Sequence, residues 1–186
     1  MKVTETSIPG VLLVEPKVFG DARGFFLELH QQGRYAEHGI GAGGFVQDNF
    51  SSSSRGVLRG LHLQNPSPQG KLVSVLAGEV FDVAVDVRLG SPTFGRSVGL
   101  VLSAENHRQL WLAPGIAHGF LVLSEQASFW YKCTAPYQPS AEVVIRWDDP
   151  ELGIEWPLEG PPSLSARDAH GVLLRDVPRE RLVVSS

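Results

Sequence analysis

Glu79-Val-Phe-Asp-Val-Ala-Val-Asp-Val-Arg88 alternates strictly, with Phe81, Val83, Val85 and Val87 on one face and Val80, Asp82, Ala84 and Asp86 on the other. A period of two is the mark of a β-strand. One face is wholly apolar; the other carries two carboxylates. The preceding pair, Ala77–Gly78, reads as a tight hairpin turn back to the strand before it. Outward from this segment, further short runs rich in Val, Leu and Phe are separated by 20 glycines and 13 prolines, spread along the whole chain. They predict strands over Val11–Lys17, Gly24–His30, Phe45–Ser52, Val57–Gln64, Lys71–Leu76, Glu79–Arg88, Ser97–Ser103, Gln109–Leu112, His118–Ser124, Ser128–Thr134 and Val143–Trp147. One short helix is expected around Gln32–His38. A second is expected after Leu164, where Ser165 caps and Asp168 follows three residues later. The pattern is an all-β antiparallel sandwich or barrel in one domain spanning residues 1–186.

A chain of 186 residues suffices for one well-buried core. Its net charge is -4, and the charges are mixed along the sequence, so nothing resembles a basic nucleic-acid-binding arm. Cys133 is the only cysteine, which excludes an internal disulfide and a multi-thiolate metal cage. This usage fits a reducing cytoplasm. The first residues, MKVTETSIPG, hold no apolar signal core, and no apolar run approaches membrane-spanning length. A soluble, cytoplasmic protein is expected.

Four segments could carry chemistry. Val57-Leu-Arg-Gly-Leu-His-Leu-Gln64 sets Arg59 and His62 in one strand, shortly after the polar Gln47-Asp-Asn49. A lone strand histidine is commonly structural. Alternation puts Arg59 and His62 on opposite faces, so both serve one pocket only if Gly60 marks a bulge or Arg59 reaches in from a rim. Ala113-Pro-Gly-Ile-Ala-His-Gly-Phe120 turns at Pro-Gly and resumes with His118 and Phe120 pointing the same way; its plain reading is a capped corner. In Phe129-Trp-Tyr-Lys-Cys-Thr134, Phe129, Tyr131 and Cys133 share a face. Such aromatics are usually core, but a buried tyrosine hydroxyl needs a partner, which a cavity supplies. Leu164-Ser-Ala-Arg-Asp168 reads plainly as a capped surface turn.

A mononuclear metal site on such a barrel would ordinarily need His-x-His followed by Glu. Here the segment is His62-Leu-Gln64, and no two of the six histidines stand at i, i+2 or i, i+4. Three-ligand catalytic sets are hard to assemble from that spacing, so no metal is expected. Phosphate-loop and dinucleotide glycine patterns are missing as well, as is a Gly-x-Ser-x-Gly elbow. No cofactor is expected.

Taken together and in order, these segments resemble one family, the dTDP-4-dehydrorhamnose 3,5-epimerases, or RmlC-like cupins. The stretches are Phe19-Gly-Asp-Ala-Arg-Gly-Phe-Phe-Leu-Glu28, Gln47-Asp-Asn49, Gly56-Val-Leu-Arg-Gly-Leu-His62, Gln69-Gly-Lys-Leu-Val73, Asp82-Val-Ala-Val-Asp-Val-Arg88 and Gly90-Ser-Pro-Thr-Phe-Gly95. They continue as Pro114-Gly-Ile-Ala-His-Gly-Phe120, Tyr131-Lys-Cys-Thr134, Trp147-Asp-Asp-Pro150, Ile154-Glu-Trp-Pro157 and Leu164-Ser-Ala-Arg-Asp168. Each piece alone is weak, but the ordered set covers nearly the whole chain.

The resemblance implies a metal-free, antiparallel jelly-roll cupin barrel with a few short helices, working as a homodimer on a thymidine-diphosphate sugar. It implies His62 as general base, Asp168 as its orienting partner, Tyr131 as the acid on the other side, and Lys71 as the cation at the enolate oxygen. Arg23, Glu28, Gln47, Asn49, Arg59, His118 and Glu142 match positions that bind the nucleotide sugar, and Asp48 is counted with its neighbours. Part of that shell, around Arg23 to Glu28, is expected from a partner subunit. Arg23, Arg59 and Arg167 suit the diphosphate as bidentate clamps, and Phe26 and Tyr137 suit the thymine. Three positions depart from the family: Leu63 and Phe50 stand where an aromatic and a histidine are common, and Arg167 where a lysine is.

These residue types fit the reaction. A proton beside a ketone leaves only with help: a positioned base contributes roughly 10²–10⁴-fold, and losing a donor at the enolate oxygen costs about 10²–10³-fold. Inversion needs a second acid on the opposite face, which a mere binder does not need. Asp82 rivals Asp168 as partner to His62. The alternatives are an epimerase acting at carbon 3 only, a non-catalytic sugar-nucleotide-binding cupin, and a metal-dependent cupin.

Overall fold

The computed structural model describes residues 1–185. Its elements in chain order are β1 (Lys2–Glu5), β2 (Val11–Glu15), β3 (Val18–Asp21), β4 (Gly24–Leu27), α1 (Gln32–Ala36), β5 (Gln47–Ser54), β6 (Leu58–Gln64) and β7 (Lys71–Ala77). They continue with β8 (Glu79–Asp86), β9 (Ser97–Ser103), β10 (Gln109–Leu112), β11 (Ile116–Val122), β12 (Gln126–Cys133), β13 (Glu142–Val144) and α2 (Ala166–Ala169). The strands form a six-stranded sheet, β1-β2-β10-β7-β12-β5, and a five-stranded sheet, β13-β6-β11-β8-β9. Every strand pairing in both is antiparallel. The expected all-β jelly-roll class is the one observed. The strands β3 and β4 stand apart as a two-stranded hairpin.

Between the two sheets lies a core that includes Val73, Val75, Val80, Ala84, Leu102, Leu110, Phe120 and Phe129. Each such large apolar side chain contributes about 1.5–3 kcal/mol on burial. The apolar stripe of β8 does not face this core. Val83, Val85 and Val87 pack outward against Leu152, Leu174, Val177 and Leu182 of the C-terminal segment. The carboxylate-bearing face turns inward, where Val80 and Ala84 join the inner core and Asp82 is fully buried. On the far side, Tyr35 and Ile40 cover Val14, Leu72 and Trp111.

Ala77–Gly78 is a crossover, not a hairpin: β7 and β8 belong to different sheets. Gly78 has φ +75, and a Cβ there would fall 2.0 Å from the Gln126 carbonyl oxygen. The chain therefore turns sharply between sheets against β12, a move that only glycine tolerates. The strand expected over Gly24–His30 ends at Leu27, that over Val143–Trp147 shortens to Glu142–Val144, and β1 and β3 arise where no strand was expected. Among the described residues, no helix is long and apolar enough to cross a membrane.

Candidate active site

A cavity of about 350 Å³ opens between the sheets, and its walls carry His62, Lys71, His118 and Tyr131. His62 and His118 stand on the five-stranded sheet, directly opposite one another across β6 and β11. Lys71 and Tyr131 stand on the other sheet, on the paired strands β7 and β12.

Arg59 and His62 both line the cavity although three residues separate them. The register explains how: His118 faces His62 and Phe120 faces Arg59, so Gly60 and Leu61 together oppose Gly119 alone. This is a bulge, and it turns the strand by one residue. Gly60 has φ +109, and a Cβ there would lie 2.5 Å from the His118 carbonyl oxygen. Arg59 is held from behind by Ser53, whose Oγ accepts from Nε at 3.2 Å and Nη2 at 3.0 Å.

His62 Nε2 lies 2.6 Å from Asp168 Oδ1. Asp168 lies in the short helix α2, which Ser165 caps: the Ser165 Oγ accepts from the Asp168 amide at 3.1 Å and donates to Oδ2 at 2.7 Å. The Gly60 amide, exposed by the bulge, donates to Oδ1 at 3.3 Å. Burial works against the Asp168 charge. Hydrogen bonds from His62 and Ser165, with the Gly60 amide, outweigh it and hold the carboxyl below its ordinary range. Asp82, the rival partner, does not touch His62. Its oxygens lie 2.9 and 3.1 Å from His118 Nε2.

Tyr131 is pushed up to about 12, first by burial and then by Cys133. Lys71 is pushed down by burial, with Cys133, Glu142 and Asp82 acting in the other direction. Cys133 sits beside Lys71 in register; it is buried and accepts a 3.6 Å hydrogen bond from Asn49 Nδ2.

Gln47, Asn49 and Glu142 also line the cavity, but Asp48 does not. Alternation along β5 turns Asp48 to the opposite face, where it pairs with Lys132 at 2.7 Å. Arg167 stands at the rim, bonding the Tyr137 hydroxyl at 2.9 Å and pairing with Glu142. Arg23, Phe26 and Glu28 lie outside the cavity of this chain. Arg23 pairs with Asp21 at 2.6 Å, Glu28 with Arg34 at 2.6 Å, and Phe26 is exposed. Gln64 is 4% exposed and spends its amide on the backbone of Ser67, Pro136 and Gln138. Among the described residues, no three His, Cys, Asp or Glu side chains cluster as metal ligands do.

Sequence reasoning missed Ser51, Phe120 and Phe129 as cavity walls. It also missed the partnership of Asp82 with His118, although the alternation displayed two carboxylates on one face of β8.

A family model described as dTDP-4-dehydrorhamnose 3,5-epimerase matches residues 5–176. The chain is 56% identical over 176 residues to the dTDP-4-dehydrorhamnose 3,5-epimerase of Pseudomonas aeruginosa, covering 95% of this chain and 97% of that one. It is 57% identical over 175 residues to that of Salmonella typhimurium, covering 94% and 96%. The crystal structure of the dTDP-6-deoxy-D-glucose-3,5-epimerase of Legionella pneumophila in complex with dTDP-4-keto-L-rhamnose superposes with a TM-score of 0.95 at 54% identity, covering 100% of this chain and 98% of that one.

Proposed function

The chain belongs to the dTDP-4-dehydrorhamnose 3,5-epimerase family, and from that premise we propose how its cavity inverts carbons 3 and 5 of dTDP-4-dehydro-6-deoxy-D-glucose to give dTDP-4-dehydro-L-rhamnose. The protein is an isomerase of the dTDP-rhamnose route. The observation that carries the mechanism is the placement of His62 and Tyr131 on facing sheets of one cavity. A base on one wall and an acid on the other is what inversion requires.

With its Nε2–H given to Asp168, His62 keeps a lone pair on Nδ1. That nitrogen takes the proton from the carbon beside the ketone, and the electron pair moves onto the ketone oxygen. Lys71, a cation in a dry site, stabilises the enolate that forms. Tyr131 then donates its phenolic proton to the opposite face of the carbon. A phenol raised to about 12 enters each cycle loaded. Exchange with solvent removes the proton from His62 and returns one to Tyr131, and the second carbon follows by the same steps.

Gln47, Asn49, Arg59, His118 and Glu142 hold the nucleotide sugar, and Tyr137 takes the thymine. Arg167 turns from Glu142 to the diphosphate. The reaction needs no metal or cofactor.

The hairpin of β3 and β4 exposes Phe19, Phe25 and Phe26. An apolar ribbon of that kind suits a second copy of the chain, which would carry Arg23, Phe26 and Glu28 toward its neighbour's cavity. A homodimer at micromolar concentration in light scattering is the expected result; an active monomer contradicts it. The lone Cys133 and the nucleotide-linked substrate favour the cytoplasm as the site of action.

The chemical test is turnover in heavy water. Deuterium entering both carbons beside the ketone supports the double epimerase. Entry at carbon 3 alone supports the single epimerase, and no entry supports a binding protein.

A further inference from the structure

A second histidine–carboxylate pair stands beside the first, and the mechanism above leaves its carboxylate unused. Asp82 is fully buried, on the inward face of β8, an interior strand of the five-stranded sheet. Among the described residues its oxygens accept only from His118 Nε2. A carboxylate at that depth is strongly disfavoured unless a positive charge offsets it, so the stable pair is a carboxylate facing an imidazolium, which carries protons on both Nε2 and Nδ1. No described residue bonds the other ring nitrogen, Nδ1, and His118 lines the cavity. The ring is braced by Phe129, stacked at 6.0 Å and 24°.

We propose that Asp82 is a positioning residue for the epimerisation: it fixes His118 with Nε2–H inward and presents Nδ1–H to the ketone oxygen of the sugar, where His118 shares the enolate charge with Lys71. This rests on the reading of the cavity given above. The geometry singles out the ketone. His118 and the base His62 are directly opposite across neighbouring strands, so their rings stand on the same wall, on backbones about 4.5–5.5 Å apart. The ketone carbon lies between the two carbons that lose protons, whereas the diphosphate hangs from the opposite corner of the ring. A group beside the base therefore meets the ketone oxygen. Lys71 approaches from the other sheet, so the charge developing on that oxygen meets a donor from each wall.

The two carboxylates divide the labour. Asp168 has donors from Gly60 and Ser165 besides its histidine, and His62 keeps 29% of its side chain exposed. Asp82 has only its histidine, and His118 keeps 8%. The first histidine is free to load and unload a proton; the second is held as a donor.

The test is Asp82→Asn. If the carboxylate only supported the fold, Asp82→Asn would cost stability, as removing one partner of a buried pair does, and would leave the rate of the folded enzyme alone. The expected result is a kcat lower by about 10- to 10²-fold in protein that still melts cooperatively, a smaller change than one whole oxyanion donor gives, and a KM within about twofold of wild type. His118→Ala should be slower still. Adding Asp82→Asn to it should cost nothing more, because the carboxylate acts through that ring. Unchanged kcat in D82N, a loss confined to KM, or losses that multiply in the double variant would overturn the proposal.

Should D82N not fold, nitrogen-15 spectra of the wild-type histidines with the keto sugars at equilibrium decide. Protons on both ring nitrogens of His118 support the proposal, and a bare Nδ1 sinks it. His62→Ala, run alongside, tests the underlying reading. Retained turnover there brings down the base assignment and this proposal with it, whereas an inactive H62A beside a fully active D82N removes this proposal alone.

Discussion

Asp168 and Asp82 each hold a cavity histidine by its Nε2, yet they arrive by different routes. Asp168 comes from a four-residue helix laid down after the barrel strands are complete. Asp82 comes from the middle of a strand flanked on both sides, by β9 and β11. The first pair joins strand β6 to a short helix near the end of the chain; the second lies within one sheet. On the mechanism proposed above, burial and hydrogen-bond supply, rather than residue type, separate a base from a fixed donor. Two His–Asp pairs of one composition then serve two purposes because one carboxylate is shared among several donors and the other is not.

The sharpest way to break that contrast is Asp168→Asn. An amide in this position would turn its NH₂ toward His62 or compete for the Gly60 and Ser165 donors. Where the NH₂ faces the imidazole, Nε2 must accept, so the ring proton moves to Nδ1, the nitrogen needed as base. The expected loss in kcat is roughly 10²-fold or more, within the range for removing a positioned base. It should exceed the loss in Asp82→Asn. Equal losses in the two variants would erase the distinction between the pairs, and rate assays on both settle it.

The sequence displayed much of this arrangement. The period of two in β8 exposed two carboxylates on one face, and Gly60 between Arg59 and His62 signalled the bulge that brings both to one cavity. Ser165 three residues before Asp168 signalled the cap that orients it. What was not legible depended on which sheet each strand joins. The Ala77–Gly78 turn looks like a hairpin in sequence, because local turn chemistry does not distinguish a return from a crossover. Asp82 found His118 because β8 and β11 are neighbours, a fact of long-range pairing. Asp48 is a different case. It was counted with Gln47 and Asn49, but alternation along the strand puts it on the outer face, where it pairs with Lys132. The hairpin residues Arg23, Phe26 and Glu28 lie beyond what one chain's own cavity explains.

The smallest expected effect, and the one that most finely separates the pairs, is Ser165→Ala. The change removes the bond to Asp168 Oδ2 and the helix cap together. Losing an N-cap of this kind costs about 0.5–2 kcal/mol. Part of that cost is tied to pH. The folded Asp168 carboxyl sits below its ordinary value of 3.8, so its contribution to stability is fully present above that value and is lost as pH falls through the folded one. In Ser165→Ala the folded value moves back toward the ordinary one, and the difference in stability from wild type should be present at neutral pH and shrink below about 4. Thermal melts across that range read the effect directly. The kcat should fall only a few-fold, because His62 and the Gly60 amide still hold Oδ1. A loss as large as that of Asp168→Asn would mean that the Asp168 charge depends on this one hydroxyl. The base would then be as sparsely supported as Asp82 is, and the difference drawn between the two pairs would fail.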